Sequence, residues 1–525
     1  MRGLSGESMP AQEEIMDYKV TKENFTVPQS LGGGVTQQSV ELDYILPDYY
    51  PEIFRVLNVR ILPSIPARTL SGTRLDYELS AKIRLTYVSE SGEMCAAEQV
   101  LTYNRSAELT ASAKSPKVSI MPYTESASCR VSGKRRADIR GIVFVSVTAT
   151  ADEARQAVSE AVGDGIQLNK SLVTYPSKRI AVTKRITVVD DVELGASKPA
   201  VKTVIRADAA VITADKKILS GKLLTKGEAE VSLLYVPEDS SSKAESIRFA
   251  VPFSQISDVE GMDERYDVMI SASVSDCEIK PSGKSGNNSV SCELNIEINC
   301  LAMRFESVLI ATDAYSTMYE SSLEMSEEDI ECVPQEISES CKTKASLTYY
   351  DGEIVSVMCA GAEVGKLDAV TGSDGSVSVR GRITYFAYAE NESGKPIYLE
   401  GTDEFEKKLP ETASSCSIDA HATVAQTAYK LTSSNAMEIS ADIRLSGYLF
   451  GCRSHRFISG ITVDEASPLD RDCDIAMKLY YAEKGEEPWD IAKRTHTTLT
   501  AITDENDLGE ETLSEPKMIL IPIVD

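Results

Sequence analysis

The sequence predicts a mainly β protein of tandem β-sandwich-like domains, ending in a small α+β module of order strand, helix, helix, strand. Composition favours strands, because Thr, Ser and Val are plentiful and most of the few aromatic residues are tyrosine. Alternating apolar and polar runs recur at a spacing of roughly 150 residues, the size of one domain. The 525 residues therefore suggest three or four domains.

The first two domains are recognised by a pair of matching apolar stretches. One follows Pro51 and the other follows Pro199, and each leads to a Ser-Gly pair, at 71–72 and at 220–221. Proline is well placed in the first turn of a helix, so both stretches are predicted to be short helices.

A strand and a hairpin come next in both domains. "ELSAKIRLTYVSESGE" at 78–93 aligns with "KGEAEVSLLYVPEDSS" at 226–241, and this matches Tyr87 with Tyr235. A third, weaker copy surrounds Tyr388. In each copy an alternating strand runs into a polar turn and a second strand, which is typical of a hairpin. The three tyrosines are therefore predicted to lie on equivalent strands.

Each domain closes on an alternating run typical of a half-buried antiparallel strand. A repeat this long is a whole domain, because solenoid units span only about 20–50 residues. We therefore predict an N-terminal extension, a first, a second and a degenerate third repeat, and a terminal module, at 1–37, 38–165, 180–305, 306–466 and 470–525.

Three segments are predicted to connect or interrupt these domains. "TADEARQAVSEAVGDG" at 150–165 is predicted to be a helix, because Thr150 and Glu153 fit a capping box ahead of an apolar stripe. The glycine run at 31–34 is predicted to be a flexible turn, and 280–289 a mobile loop.

Charge and composition exclude several classes of protein. The formal net charge of −27 argues against binding to nucleic acid or to anionic membranes, both of which need clustered cations. No apolar run is long enough to span a bilayer, and the first residues lack the apolar core of a secretion signal. The eleven scattered cysteines are interpreted as reduced thiols of a cytosolic protein, without structural disulfides.

Catalytic and metal-binding patterns are weak throughout. The three histidines lie far apart, and Cys452 and His455 form only half of a zinc-binding spacing. "SGKSGNN" lacks the first glycine of a phosphate loop, because residue 278 is Glu. We therefore predict no enzyme, no cofactor and no metal site. An unrecognised enzyme that uses some of the many carboxylates is the least favoured hypothesis.

The C-terminal module has a different pattern from the rest of the chain. "MKLYYAE" at 477–483 and "MILIP" at 518–522 are predicted to be strands. Between them Pro488 opens a helix that carries Trp489, the only tryptophan, and Thr498 caps a second helix. So small a module has a marginal core, so each large apolar residue matters.

This segment resembles the LysM domain, a carbohydrate-binding family. The residues that match are Tyr481, Gly485, Trp489, Ile491, Ala492, Thr498, Ile502, Asn506, Ile521 and Pro522. The family's Asp-Thr-Leu is replaced by Glu486-Glu487-Pro488, and its glycine before the last strand by Pro516. The first change adds acidity and removes a hydroxyl beside the sugar groove, which counts against N-acetylglucosamine binding. The resemblance implies a partner-binding surface formed by Gly485, Glu486, Glu487, Trp489, Ile491, Asn506 and Leu508.

Two upstream stretches resemble the SPOCS domain, a β-rich module of spore-coat assembly proteins. They are "QQSVELDYILPDYYPEIFRVLNV" at 37–59 and "KILSGKLLTKGEAEVSLLYV" at 217–236. Tandem SPOCS copies followed by a terminal LysM resemble the SipL family of clostridial spore-coat morphogenetic proteins. That resemblance implies a non-enzymatic scaffold in the mother-cell cytoplasm, at the surface of the forespore and spore coat. Its LysM would dock on the spore morphogenesis ATPase that polymerises there, with other coat proteins as further partners.

The alternative is a LysM protein that binds peptidoglycan of the spore cortex. It needs a route across a membrane, which the sequence does not show, although a lytic mother cell would expose the protein to the cortex. Affinity capture with and without residues 470–525 distinguishes the two hypotheses.

Overall fold

The computed structural model describes residues 19–113, 116–163, 165–195, 198–219, 221–238, 243–281, 288–469, 476–509 and 512–522. Most of the predicted loop at 280–289, the first half of the predicted N-terminal extension and Cys473 lie outside them. The described chain is mainly β, which confirms the predicted class. None of its helices is long and apolar enough to cross a membrane.

The first six strands form two antiparallel sheets around one core, and we call them unit 1. One sheet has the order β1-β6-β5 and the other β2-β3-β4. Val40, Ile83 and Val145 come from both sheets and are fully buried together, so the unit is a sandwich. The strands are β1 (Lys19–Ile45), β2 (Ile53–Ser71), β3 (Arg74–Ser89), β4 (Met94–Glu108), β5 (Lys117–Gly133) and β6 (Arg136–Val162).

The next six strands repeat this arrangement and form unit 2. Its sheets have the orders β7-β12-β11 and β8-β9-β10, with one shared core. The strands are β7 (Ile166–Glu193), β8 (Val201–Leu219), β9 (Lys222–Pro237), β10 (Glu245–Asp258), β11 (Asp267–Pro281) and β12 (Ser289–Ser316).

Unit 3 has the same plan with one strand divided in two. β13 and β14 pair with successive parts of β19, which also pairs with β18, and the second sheet has the order β15-β16-β17. The strands are β13 (Tyr319–Glu331), β14 (Gln335–Thr348), β15 (Ile354–Thr371), β16 (Ser376–Asn391), β17 (Pro396–Thr412), β18 (Ser415–Ser433) and β19 (Ala436–Pro468).

The tyrosines of the sequence repeat lie on the middle strands of the sheets β2-β3-β4, β8-β9-β10 and β15-β16-β17. Tyr87 and Tyr235 are buried, and their hydroxyls donate to the carbonyls of Pro51 at 2.9 Å and Pro199 at 3.2 Å. Tyr388 lies on the corresponding strand, β16, but on the face opposite to the unit 3 core. The sequence alignment of the third copy is therefore one residue out of register, and a one-residue slip reverses every side chain of a strand.

The predictions of helices outside the terminal module are wrong, because these segments are strands. Residues 150–162 continue β6 as a strand that pairs with the first half of β1. The stretches after Pro51 and Pro199 are the strands β2 and β8. Helical periodicity is a weak preference, and a partner strand that satisfies every backbone group overrides it.

The glycine run at 31–34 is not a flexible turn but part of β1. The pairing of β1 with β6 shifts between Ser30 and Gly33, which is a β-bulge. Gly33 has a φ of 137°, and a Cβ there would lie 2.1 Å from the carbonyl oxygen of Val147. Only glycine fits that position. Because β1 begins at Lys19, it also occupies half of the segment predicted as an N-terminal extension.

The three units contact one another in a closed ring. β4 of unit 1 contacts β8 of unit 2, β10 of unit 2 contacts β15 of unit 3, and β17 of unit 3 contacts β2 of unit 1. The long strands β6, β12 and β19 also contact one another. Each unit therefore has an interface with both of the others.

A cluster of ion pairs around two largely buried arginines joins the three units. Arg60 of β2 pairs with Asp208 of β8 at 2.9 Å and with Glu363 of β15, and Arg206 of β8 pairs with the same two carboxylates. The Arg206 guanidinium also lies 3.5 Å above the ring of Phe386. Burial by itself raises the pKa of Asp208, but the charges of Arg206 and Arg60 outweigh it and hold that pKa well below its usual range. We call these four charged residues the ring cluster.

The described cysteines are all free thiols, and several are poorly ionised. Burial raises the pKa of Cys129, Cys300 and Cys452 to about 11. The thiolate is the reactive form, and at pH 8 about one such thiol in a thousand is ionised. We expect these three cysteines to be alkylated by iodoacetamide far more slowly in the native than in the denatured protein, as followed by peptide mass spectrometry. Rapid labelling of any of them in the native protein would contradict the burial described here.

Candidate functional site

The C-terminal module has the order strand, helix, helix, strand. Its elements are β20 (Met477–Ala482), α1 (Pro488–Thr495), α2 (Leu499–Asn506) and β21 (Lys517–Pro522), and β20 pairs antiparallel with β21. This is the order that the sequence pattern predicts. Ala482, Ile491, Ala492, Ile502, Ile519 and Ile521 form its core.

Local sequence signals set the ends of both helices. Pro488 occupies the first turn of α1, and His496 ends that helix in the left-handed conformation, with a φ of 53°. Thr498 caps α2, because its hydroxyl accepts a hydrogen bond from the Ala501 amide at 3.2 Å. Asp507 ends α2 with a φ of 52°. The short chain between the helices can therefore reverse direction tightly.

The loop before α1 is bound to the loop before β21. The amide of Gly485 donates a hydrogen bond to the carbonyl of Leu513 at 2.9 Å. The amide of Leu513 in turn donates to the carbonyl of Glu486, also at 2.9 Å. Gly485 has a φ of 94°, which favours glycine at this turn. The two loops at which the resemblance places the partner-binding surface are thus held together by backbone hydrogen bonds.

The side chain of Glu486 makes its hydrogen bonds within the module. Its carboxylate accepts from the Tyr480 hydroxyl, the Glu483 amide and the Arg494 guanidinium, each at 2.9 Å. The hydrogen bond from Arg494 is the main cause that lowers the pKa of Glu486. Its neighbour Glu487 precedes α1 and makes no side-chain capping bond.

Asn506, Ile491 and Leu508 belong to the predicted partner-binding surface, but their side chains make contacts within the module. The Asn506 amide group donates to the Leu520 carbonyl at 2.6 Å, and its oxygen accepts from the Leu520 amide at 2.7 Å. It therefore ties α2 to β21. Ile491 is fully buried in the core, and Leu508 is half-buried against it.

Trp489 belongs to the module core and also to an interface with unit 2. It is 6% exposed, and its ring meets that of Tyr315, at the end of β12, edge to face at 5.0 Å. Its Nε1–H donates to Oδ2 of Asp313 at 2.8 Å, and Nζ of Lys493 lies 2.6 Å from Oδ1 of the same carboxylate. The Tyr315 hydroxyl donates to the carbonyl of Thr497 at 2.7 Å. We call Asp313 and Tyr315 the module seat.

The module seat was missed by sequence reasoning, and no local pattern could have found it. Asp313 follows a shift in the pairing of β12 with β7, so this carboxylate lies at an irregular point of the strand. Tyr315 contributes directly to the core of a module that begins far along the chain. A contact between residues this far apart in the chain depends on the tertiary fold, which no local sequence pattern specifies.

The outer face of the β20–β21 sheet is apolar and exposed. Met477, Leu479 and Tyr481 alternate on β20, and Met518 lies opposite Tyr481 on β21. Their exposures run from 45% to 70%. Leu520, opposite Leu479, is half-buried. The other face of the sheet packs on the helices through Ala482, Ile519 and Ile521. We call the four exposed side chains the outer sheet face.

Elsewhere the described residues offer little that resembles a chemical site. They contain no group of three or more His, Cys, Asp or Glu side chains placed to hold a metal ion. A cleft of about 820 Å³ lies between units 2 and 3. The charged groups that line it include Arg206 and Asp208 of the ring cluster, and Arg248, which is 3.6 Å from Glu230. These charges already neutralise one another.

Comparison with known proteins bears on unit 2. Residues 200–282 match the family model described as SipL, SPOCS domain. The match covers β8 to β11 and falls inside the second predicted repeat, at 180–305. A SipL SPOCS domain indicates a sporulation-related protein. No curated protein and no solved structure matches the chain.

Proposed function

We propose that this protein is a non-enzymatic scaffold of spore-envelope assembly, which acts in the mother cell at the forespore surface. The SPOCS match in unit 2 carries the proposal. It is supported by the strand order of unit 2, which recurs in units 1 and 3, so that the chain consists of three SPOCS-like copies closed into a ring.

The terminal module is proposed to be a LysM domain that docks on the coat-basement ATPase, with other coat proteins as further partners. Its order of elements, the turn at Gly485, the cap at Thr498 and the Asn506 bridge support this assignment. Protein binding is favoured over sugar binding for two reasons. The loops carry Glu486 and Glu487 in place of the family's Asp-Thr, and the four exposed side chains of the outer sheet face are mainly apolar.

The test is a pair of binding experiments with the purified full-length chain. We expect it to bind the purified coat ATPase and to stay in the supernatant when mixed with insoluble peptidoglycan. A chain that ends at residue 469 should bind neither, provided that circular dichroism shows its β-structure unchanged. Strong retention on peptidoglycan without ATPase binding would favour the alternative, a cortex-binding LysM protein.

A further inference from the structure

Two cysteines of unit 2 lie side by side on neighbouring strands. Cys277 is on β11 and Cys292 on β12, and the antiparallel register places Cys277 opposite Leu294 and Ile279 opposite Cys292. The two cysteines are therefore diagonal neighbours in this pair of strands. Cys292, Ile279 and Leu294 belong to the core of unit 2, and Cys277 packs against that core. Both thiols thus lie on the inner face of the same sheet.

The two thiols contact each other. A hydrogen bond that the Cys277 thiol donates to the sulfur of Cys292 raises the pKa of Cys277 and lowers that of Cys292. The right-handed twist of paired strands brings one of the two diagonals closer, and the hydrogen bond shows that these cysteines occupy the closer one. Each sulfur therefore already has the neighbour that a disulfide requires.

The pair differs from the other buried thiols of the chain in its surroundings. Burial is the main cause that raises the pKa of Cys129, Cys300 and Cys452, whereas contact with a second thiol is the main cause at Cys277. The thiolate is the reactive form, so the lowered pKa makes Cys292 the better nucleophile of the two. Cys292 is buried and Cys277 is partly buried, so a small oxidant reaches the pair more readily than a bulky one.

The position of β11 allows the two strands to approach. β11 is an edge strand in the order β7-β12-β11, and its pairing with β12 shifts between Val274 and Asp276, beside Cys277. A disulfide needs its two Cα atoms within about 7 Å, and diagonal neighbours are about 7–8 Å apart, so a small movement is required. A strand that is paired on one side only and contains a β-bulge can make this movement with little loss of hydrogen bonding.

β11 also carries a contact between two units. Asp276, next to Cys277, pairs with Lys82 of β3 in unit 1. A bond between Cys277 and Cys292 would join β11 to β12 across the connection at 282–288. Such a link stabilises a protein mainly by restricting its unfolded chain. Oxidation would therefore strengthen the strand on which unit 2 meets unit 1.

We propose that Cys277 and Cys292 form a disulfide when the protein meets a peroxide, and that this bond holds β11 on β12. In a reducing cytosol both remain thiols. The Cys292 thiolate attacks hydrogen peroxide, the O–O bond breaks, and Cys292 becomes a sulfenic acid as hydroxide leaves. The Cys277 sulfur then attacks the Cys292 sulfur, the S–S bond forms, and the Cys277 proton leaves with the sulfenic hydroxyl as water. The two thiols lose two electrons, and these reduce the peroxide.

The test treats the full-length chain with hydrogen peroxide, removes the excess with catalase, and alkylates the remaining thiols with iodoacetamide in guanidinium chloride. Peptide mass spectrometry without reductant should find a linked pair of peptides that contains Cys277 and Cys292, and dithiothreitol should remove it. We expect this pair to exceed any other cysteine pair by about tenfold or more, because other pairs need larger backbone movements. Hydrogen exchange of the β11 amides should be slower in the oxidised than in the reduced chain.

Three variants serve as controls. Cys277→Ser and Cys292→Ser each remove one partner and should abolish the linked peptides. Cys300→Ser is the matched control, because Cys300 is also buried on β12, and the link should form in it as in the wild-type chain. The wild-type chain is mapped directly, so the result does not depend on how well the variants fold. The test uses no partner and is therefore independent of the proposed function.

Two results would overturn the disulfide itself. One is recovery of both Cys277 and Cys292 as alkylated thiols after treatment with excess peroxide, and the other is a Cys277 that is linked mainly to a second chain. A Cys277–Cys292 link that leaves hydrogen exchange in β11 unchanged would show that the bond does not hold this strand, and would overturn the stabilising role.

Discussion

Replacing Trp489 with alanine is expected to unfold the C-terminal module while units 1 to 3 stay folded. The indole is 6% exposed, packs against Tyr315 and donates to Asp313, so its removal opens a cavity and also leaves a carboxylate without one donor. Truncating a buried tryptophan costs about 3–5 kcal/mol. A core of this size supplies about the same free energy. Binding to the ATPase should be lost together with the fold.

Hydrogen exchange with mass spectrometry locates the effect of Trp489→Ala. Amides of α1 and α2 should lose protection, while those of β3, β9 and β16 keep it. Trp489→Phe keeps the apolar ring and removes the hydrogen bond to Asp313, so it should weaken protection much less. Leu479→Ala, at a side chain 70% exposed, is the matched surface control and should leave protection unchanged. Full protection of α1 in Trp489→Ala would show that this residue supports neither the core nor the seat.

Replacing Arg206 with alanine is expected to lower the free energy of unfolding by about 2–3 kcal/mol. This is below the ~3–5 kcal/mol for one partner of a fully buried ion pair, because the side chains of Asp208 and Glu363 are 34% and 38% exposed. The Arg206 side chain is 4% exposed and pairs with Asp208 and Glu363, which belong to different units. Guanidinium denaturation measures the change. The control is Arg74→Ala, whose side chain is 59% exposed and pairs with Asp76 on the same strand, and it should cost less than about 1 kcal/mol. Equal effects of the two substitutions would contradict a joining role for the ring cluster.

The effect of Arg206→Ala should depend on pH in a stated direction. The pKa of Asp208 is lowered in the folded protein, so this carboxylate contributes stability that is present above its unfolded pKa of about 3.9 and is lost as the pH falls through the folded value. The variant lacks the part of this contribution that Arg206 supplies, while Arg60 still pairs with Asp208. The difference in stability between the wild-type chain and the variant should therefore be full at pH 7 and shrink as the pH falls below about 4. A difference that grows in acid would show that Asp208 is not the group concerned.

Sequence patterns predicted local features well where the deciding contacts are close in the chain. The caps and turns of the module at Pro488, Thr498 and Gly485 lie where the pattern placed them. The match of Tyr87 with Tyr235 also agrees with the structure, because each hydroxyl reaches back to a proline carbonyl at the start of its own sheet. Such signals depend on backbone geometry within one or two elements.

Other predictions failed where a distant segment decides the outcome. The 150–162 segment has a helical pattern, but β1 lies beside it and completes its hydrogen bonds as a strand. Tyr388 was aligned one residue out of register, because the third copy diverges and the period of two in a strand tolerates no slip. The structural surroundings of Glu486 and Asn506, which were candidates for partner binding, are likewise visible only in the folded module.

The sequence by itself determined the mainly β class, the strand-helix-helix-strand order of the module and the resemblance of the second copy to a SPOCS domain, because alternation, caps and turns are written in neighbouring residues. Only the tertiary structure decided that the three units close into a ring through the ring cluster. It also decided that Asp313 and Tyr315 seat the module and that the outer sheet face is exposed. These features join residues from different units. Such contacts form only when loop closure brings distant strands together, and no local pattern in the chain specifies that closure.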